Sequence, residues 1–211
     1  VLARNYTRNI DKVNAFEIGN TFVNNTQEND VLPYEQYALC IGMYGKDEDF
    51  YSLKGVVEEL FRVLGIKDPI FAGEADLGAF HPGRCARISV ISRENGEPVQ
   101  LGVMGEVHPD VAEQYGMEGV RIYCCELMFD AIRDNTILYT PLPKYPSTSR
   151  DIALLVEENL EVGRIEALIR KEGGRILENV KLFDVYRGKQ VEEGKKSVAF
   201  TLTYQDESKT L

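Results

Sequence analysis

The stretch "YTPLPKYPSTSRD", Tyr139 to Asp151, limits what this chain can fold into more than any other. Pro141, Pro143 and Pro146 have no amide hydrogen and hold φ near a single value. Each also pushes the residue before it out of the helical region. Neither a helix nor a central strand can run through such a segment, so the chain is read as two modules, residues 1–141 and 142–211. The charges divide at the same place. The net charge is −10, yet residues 143–211 carry 12 basic and 12 acidic side chains, leaving 12 and 22 to residues 1–142. An acidic balance argues against nucleic-acid binding over the whole surface, but not against a local interface on the neutral module.

In the first module, "NAFEIGNTFV", "YALCIGMY", "CARISVIS", "VQLGVMGEV" and "VRIYCCELMFD" read as strands. "DFYSLKGVVEELFRVLGI" repeats apolar residues at helical spacing, with Asp49 as N-cap and Gly65 as stop. A short helix is predicted after His108-Pro109. Consecutive strands with short turns favour a largely antiparallel sheet with helices against it, an α+β arrangement. The second module reads as β-α-β-β: "DIALLV", "VGRIEALIRKEGG", "NVKLFDVYRG" and "KSVAFTLTY". That is the opening of a ferredoxin-like β-α-β-β-α-β unit lacking its last helix and strand. With no initiator Met and an unfinished unit, the chain is expected to be a fragment of a longer polypeptide.

No run approaches the roughly 18 apolar residues of a membrane span, and "VLARNYTRNI" lacks the apolar core of a signal peptide. Cys40, Cys85, Cys124 and Cys125 contain no C-x-x-C pair and are read as reduced thiols of a cytoplasmic protein. His81 and Cys85 stand four apart, but no second ligand pair has zinc-like spacing, so both histidines are read as His-Pro turn residues. No phosphate-binding glycine loop or nucleophile elbow occurs. Nothing in the residues alone nominates a catalytic centre or a metal.

The last strands offer more. Val198, Phe200, Leu202 and Tyr204 alternate with Ser197, Ala199, Thr201 and Thr203, so one set faces the helix and the other forms an open sheet face. Ile152, Leu154 and Val156, with Phe183 and Val185, are predicted to point inward; Leu182, Asp184 and Tyr186 are predicted outward. The open face would then carry one aromatic, Tyr186, rimmed by Arg150, Arg187, Lys189, Lys195 and Lys196, with Ser197 beside it. An exposed aromatic can stack on an unpaired base while cations hold phosphates. An ordinary sheet edge protected by lysines fits the same pattern, and both readings stay open on the pattern alone.

"PKYPSTSRDIALLV", "LFDVYRG" and "GKKSVAFTLTYQDESKTL" resemble the ferredoxin-fold anticodon-binding domain that ends bacterial phenylalanine–tRNA ligase β subunits. "RNYTRNIDKVNAFEIGNTF", "DFYSLKGVVEELFRVLGI", "FHPGRCARI", "GVMGEVHPDV" and "CELMFDAI" resemble the preceding domain of that family, which has the class II synthetase catalytic fold but is inactive. The resemblance implies a scaffold in residues 1–141 that packs against the α subunit and the remainder of β in an (αβ)₂ assembly. It implies a domain in residues 142–211 that approaches the anticodon of tRNA-Phe.

Active class II sites carry a Phe-Arg-x-Glu motif whose arginine holds the ATP α-phosphate. Here Val23 follows Phe22 and Asn25 replaces the acid, while "CCELMFDAI" stands where a glycine-rich arginine segment would be. Valine cannot neutralise phosphate charge or donate hydrogen bonds. The chain is therefore predicted to hold no catalytic residue, ATP site, metal or cofactor of its own, ATP and magnesium being used by the holoenzyme. Two other classes compete. One is an amino-acid-binding regulatory module, for which "VEENLEVGR" offers a single turn glycine. The other is an independent enzyme on the first module, against which the absent arginines speak.

Overall fold

The computed structural model describes residues 1–23, 32–92, 95–133, 141–189 and 191–211. Asn25 lies outside the described residues, as do Tyr139 and Thr140 of the connector. The chain forms two compact units, Val1–Leu138 and Tyr139–Leu211.

Unit 1 is built on a six-stranded antiparallel sheet. Its strands are β1 (Val13–Val23), β2 (Tyr34–Tyr44), β3 (Ile70–Gly73), β4 (Phe80–Ile91), β5 (Pro98–Val107) and β6 (Ile122–Met128), in the spatial order β1-β2-β6-β5-β4-β3. Four helices accompany it: α1 (Leu2–Tyr6), α2 (Phe50–Leu64), α3 (Pro109–Gln114) and α4 (Phe129–Arg133). The ends of α2 are set by local chemistry. Asp49 Oδ1 accepts the Ser52 amide at 2.7 Å, Ser52 Oγ accepts the Asp49 amide at 3.3 Å, and Gly65 stops the helix at φ 73°. The helix buries Leu53, Val57 and Phe61 against the sheet.

Strand alternation builds two cores. Along β2, Leu39, Ile41 and Met43 face α2, while Tyr44 turns to the other side with Ala112, Met117, Ile122 and Leu2. The Tyr44 hydroxyl donates to the Ile10 carbonyl at 2.8 Å, tying β2 to the segment after α1. One expectation is corrected here. "VRIYCCELMFD" is not strand throughout: it leaves the sheet after Met128 and turns helical at Phe129, which packs on the α2-side core. The five-residue α1 and four-residue β3 are too short to declare a period in sequence. Cys40 is exposed and all four cysteines are free. Burial pushes the Cys124 thiol up to about 12 and raises that of Cys125 as well.

Unit 2 contains β7 (Thr148–Glu157), α5 (Val162–Glu172), β8 (Leu177–Tyr186) and β9 (Lys195–Tyr204), with an antiparallel sheet ordered β7-β9-β8. Ile165 of α5 packs on Val198, Phe200 and Leu202 of the central strand, with Ile152, Leu154 and Val156 beside them. Burying Phe200 alone contributes about 1.5–3 kcal/mol. One sheet face is thereby covered by α5, and the other is open.

Candidate nucleic-acid interface

The open face is made by the alternate residues of three strands. The pairing places Leu155, Ser197 and Tyr186 side by side, then Ala153, Ala199 and Asp184, then Asp151, Thr201 and Lys181. The Thr201 hydroxyl donates to Asp151 Oδ1 at 2.7 Å across this face. Small side chains in the central strand leave a trough. Its walls, Leu155 on β7 and Tyr186 on β8, stand two inter-strand spacings apart, about 10 Å. Leu155 is 53% exposed and Tyr186 42% exposed. An apolar side chain on the solvent face of a strand forgoes burial, and two facing each other across Ser197 make a surface suited to a flat, apolar-faced ligand.

Phe183 joins this surface, contrary to the sequence expectation. β8 and β9 slip register between Leu182, which pairs with Phe200, and Asp184, which pairs with Ala199. Two β8 steps thus oppose one β9 step, a bulge. Leu182 pairs with the inward Phe200 and so has the helix-side parity, although on this edge strand it stays 39% exposed, and alternation sends Phe183 to the open side, where it is 53% exposed. Phe183 and Leu182 therefore exchange their expected faces, while Val185 and Tyr186 keep theirs. The open face carries two aromatics where one was expected.

The basic rim contracts correspondingly. Lys196 is not on the rim: it shares the parity of Val198, pairs with Val156, is 6% exposed, and donates from Nζ to the Glu158 carbonyl at 2.8 Å. Arg150 pairs with Leu202, on the helix-side parity, and is exposed near the start of β7 with a guanidinium nitrogen on the Ser149 carbonyl at 3.0 Å. Arg187 Nε donates to Glu158 Oε1 at 2.7 Å, and Lys195 Nζ to Glu192 at 2.6 Å. The hydrogen bond to Glu192 raises the Lys195 pKa, with the carboxylate's charge adding to it. Lys189 is exposed in the β8–β9 connection, and Ser197 lies on the trough floor. Lys181 lies on the open face beside Thr201.

Glu158 acts as a knot at this end of the sheet. Its amide donates to the Gly194 carbonyl at 2.8 Å, its carbonyl accepts Lys196, and its carboxylate accepts Arg187. The same turn shapes the aromatic wall. A Cβ added at Gly188 would lie 2.3 Å from the Tyr186 hydroxyl oxygen and 2.5 Å from Cζ, so the absence of a side chain there lets the ring lie over the turn.

Elsewhere, His81 Nδ1 lies 2.7 Å from the Pro82 carbonyl, and the Cys85 thiol donates to the Glu74 carbonyl at 2.7 Å. The two side chains thus have local partners. Val23 is exposed at the end of β1, opposite Tyr34. Among the described residues no helix is long and apolar enough to cross a membrane.

Two family models match this chain: the phenylalanyl tRNA synthetase beta chain CLM domain over residues 1–129 and the ferredoxin-fold anticodon binding domain over residues 143–211. Among similar proteins is the phenylalanine–tRNA ligase β subunit of Clostridium acetobutylicum, 45% identical over 213 residues covering 100% of this chain and 26% of that protein. That of Clostridium tetani is 42% identical over 213 residues, with the same two coverages. That of Bacillus subtilis is 35% identical over 219 residues, covering 98% of this chain and 26% of that protein. The chain spans about a quarter of the length of these curated relatives.

Proposed function

The chain belongs to the phenylalanyl-tRNA synthetase β-chain family, and on that premise we propose that it is a non-catalytic part of a phenylalanine–tRNA ligase β subunit that holds the anticodon region of tRNA-Phe. The observation that carries the proposal is the trough on unit 2, with Phe183 and Tyr186 exposed along β8 and small side chains on β9. Bases have apolar faces and unpaired bases seek stacking partners, so two exposed rings on one strand beside a floor of small side chains suit a single-stranded loop. Lys181, Lys189 and Arg187 supply positive charge for phosphates, which position the strand while the bases specify it. Releasing Arg187 to a phosphate requires breaking its pair with Glu158, so Lys181 and Lys189 are the readier contacts.

Unit 1 is a class II synthetase-like sheet that serves as a scaffold against the α subunit and the rest of β in an (αβ)₂ ligase of the cytoplasm. Its residues do not suit ATP: a valine stands at position 23, and Cys124, Cys125 and Glu126 occupy the strand where a cationic ATP contact would be needed. ATP and magnesium belong to the assembled ligase, and no step of its chemistry is assigned to this chain.

Binding of tRNA-Phe, followed by filter retention or fluorescence anisotropy, tests the trough. Phe183→Ala and Tyr186→Ala are each expected to weaken binding by about 1–3 kcal/mol, with far-UV circular dichroism unchanged. Unchanged affinity in the double variant would move the RNA site off this face.

A further inference from the structure

β1 is an edge strand without the usual protection. Among the described residues it pairs with β2 alone, in an unbroken register from Val13–Tyr44 to Val23–Tyr34. Its other side leaves a row of backbone donors and acceptors along 11 residues. Edges of this kind are normally shortened, bulged or loaded with lysine or proline, because they otherwise pair with any available strand. The other sheet ends in this protein follow that rule. β3 has four residues, β8 has two register shifts, and β7 carries Arg150, Asp151 and Glu157. β1, "VNAFEIGNTFV", has no lysine, arginine, proline or bulge, and a single carboxylate, Glu17.

Its side chains are equally uncovered. Phe16 is 73%, Ile18 47% and Phe22 63% exposed, and all three lie on the α2-side face, where Phe16 and Ile18 pair with the buried Ile41 and Leu39. The core surface thus continues outward past the last strand. On the opposite face Glu17, Cys40 and Glu126 sit side by side across β1, β2 and β6, an acidic row.

We propose that β1 is completed by a further β-strand, supplied by a segment of the same polypeptide lying outside these 211 residues. That strand is apolar toward Phe16, Ile18 and Phe22 and basic toward Glu17. The relatives' polypeptides are about four times as long as the aligned region. A tethered segment has a high effective concentration and covers the edge as the polypeptide folds, before any other subunit arrives. The inference rests on membership of a longer polypeptide and not on the RNA-binding reading.

Hydrogen exchange read by mass spectrometry on peptides spanning Val13–Val23 tests it in three preparations: the 211-residue chain, the complete β polypeptide alone, and β assembled with α. The expected result is fast exchange of the outward amides in the chain, and exchange at least 100-fold slower in the complete β polypeptide alone. Ile18→Lys should raise the rate in the complete polypeptide at least tenfold while leaving the Tm of the 211-residue chain unchanged. Protection that arises only when α is added would overturn the proposal. So would protection in the chain itself that grows with concentration, which would make the occupant a second copy. Equal exchange in all three preparations would also overturn it.

Discussion

Lys196 separates a structural cation from an RNA-binding one. Its Nζ donates to the Glu158 carbonyl at 2.8 Å, and the residue is 6% exposed. Lys196→Ala removes a hydrogen bond from a charged donor, which contributes about 1.5–3 kcal/mol. It also removes three buried methylenes at about 0.8 kcal/mol each, and releases the lysine from about 1.5–2 kcal/mol of lost rotamer freedom. The net expectation is a loss of about 2–4 kcal/mol of stability in unit 2, read by urea titration followed by circular dichroism. The salt dependence of tRNA-Phe binding should not change, because the buried ammonium donates to a backbone carbonyl and is not available to a phosphate. Lys189→Ala is the mirror case. It should leave stability within about 0.5 kcal/mol, as surface substitutions do, and reduce the slope of log affinity against log salt by about 0.7–0.9, one released counterion. A Lys196→Ala protein of unchanged stability with a reduced salt slope would refute the inward placement of Lys196.

The Tyr186 ring should respond to its turn: Gly188 has no positive φ, so alanine is allowed on backbone grounds, and the atoms nearest its methyl group belong to the Tyr186 side chain. Gly188→Ala is expected to lower tRNA affinity in the direction of Tyr186→Ala without lowering stability, and equal affinity with wild type would show that the ring's position over the turn is immaterial. In unit 1, Lys12 lies 2.5 Å from the Glu48 carboxylate, whose pKa is lowered chiefly by that hydrogen bond. A lowered carboxylate pKa gives stability that is present above the unfolded value of 4.5 and lost as pH falls through the folded value. Wild type and Lys12→Met should therefore differ most in urea midpoint at neutral pH and converge as the pH falls through the lowered Glu48 pKa; a difference that stays constant into the acid range would remove Glu48 from the account.

Much of unit 2 was legible because strand alternation is a property of the residue string itself. Val198, Phe200 and Leu202 had to share a face, and Ser197, Ala199 and Thr201 the other. The same parity already assigned Lys196 and Arg150 to the helix side and Leu155 to the open side. Reading charge as exposure hid this, since a lysine stem can lie along apolar surface while its ammonium finds a carbonyl. Helix α2 was equally legible, because its cap chemistry and apolar period are local.

The sequence by itself determined two modules, their strand and helix content, the separation of acidic from neutral charge, and the inner and outer faces of β7 and β9. Only the tertiary structure decided which way Phe183 points, because the bulge that turns it outward is a mismatch between β8 and β9 and exists only when the two are paired. Only the tertiary structure revealed that Lys196 and Arg187 converge on Glu158, 38 and 29 residues away along the chain. It alone left β1 on the outside of its sheet. Periodicity is carried by each strand alone; register, partners and edges belong to pairs of strands, and pairs form only on folding.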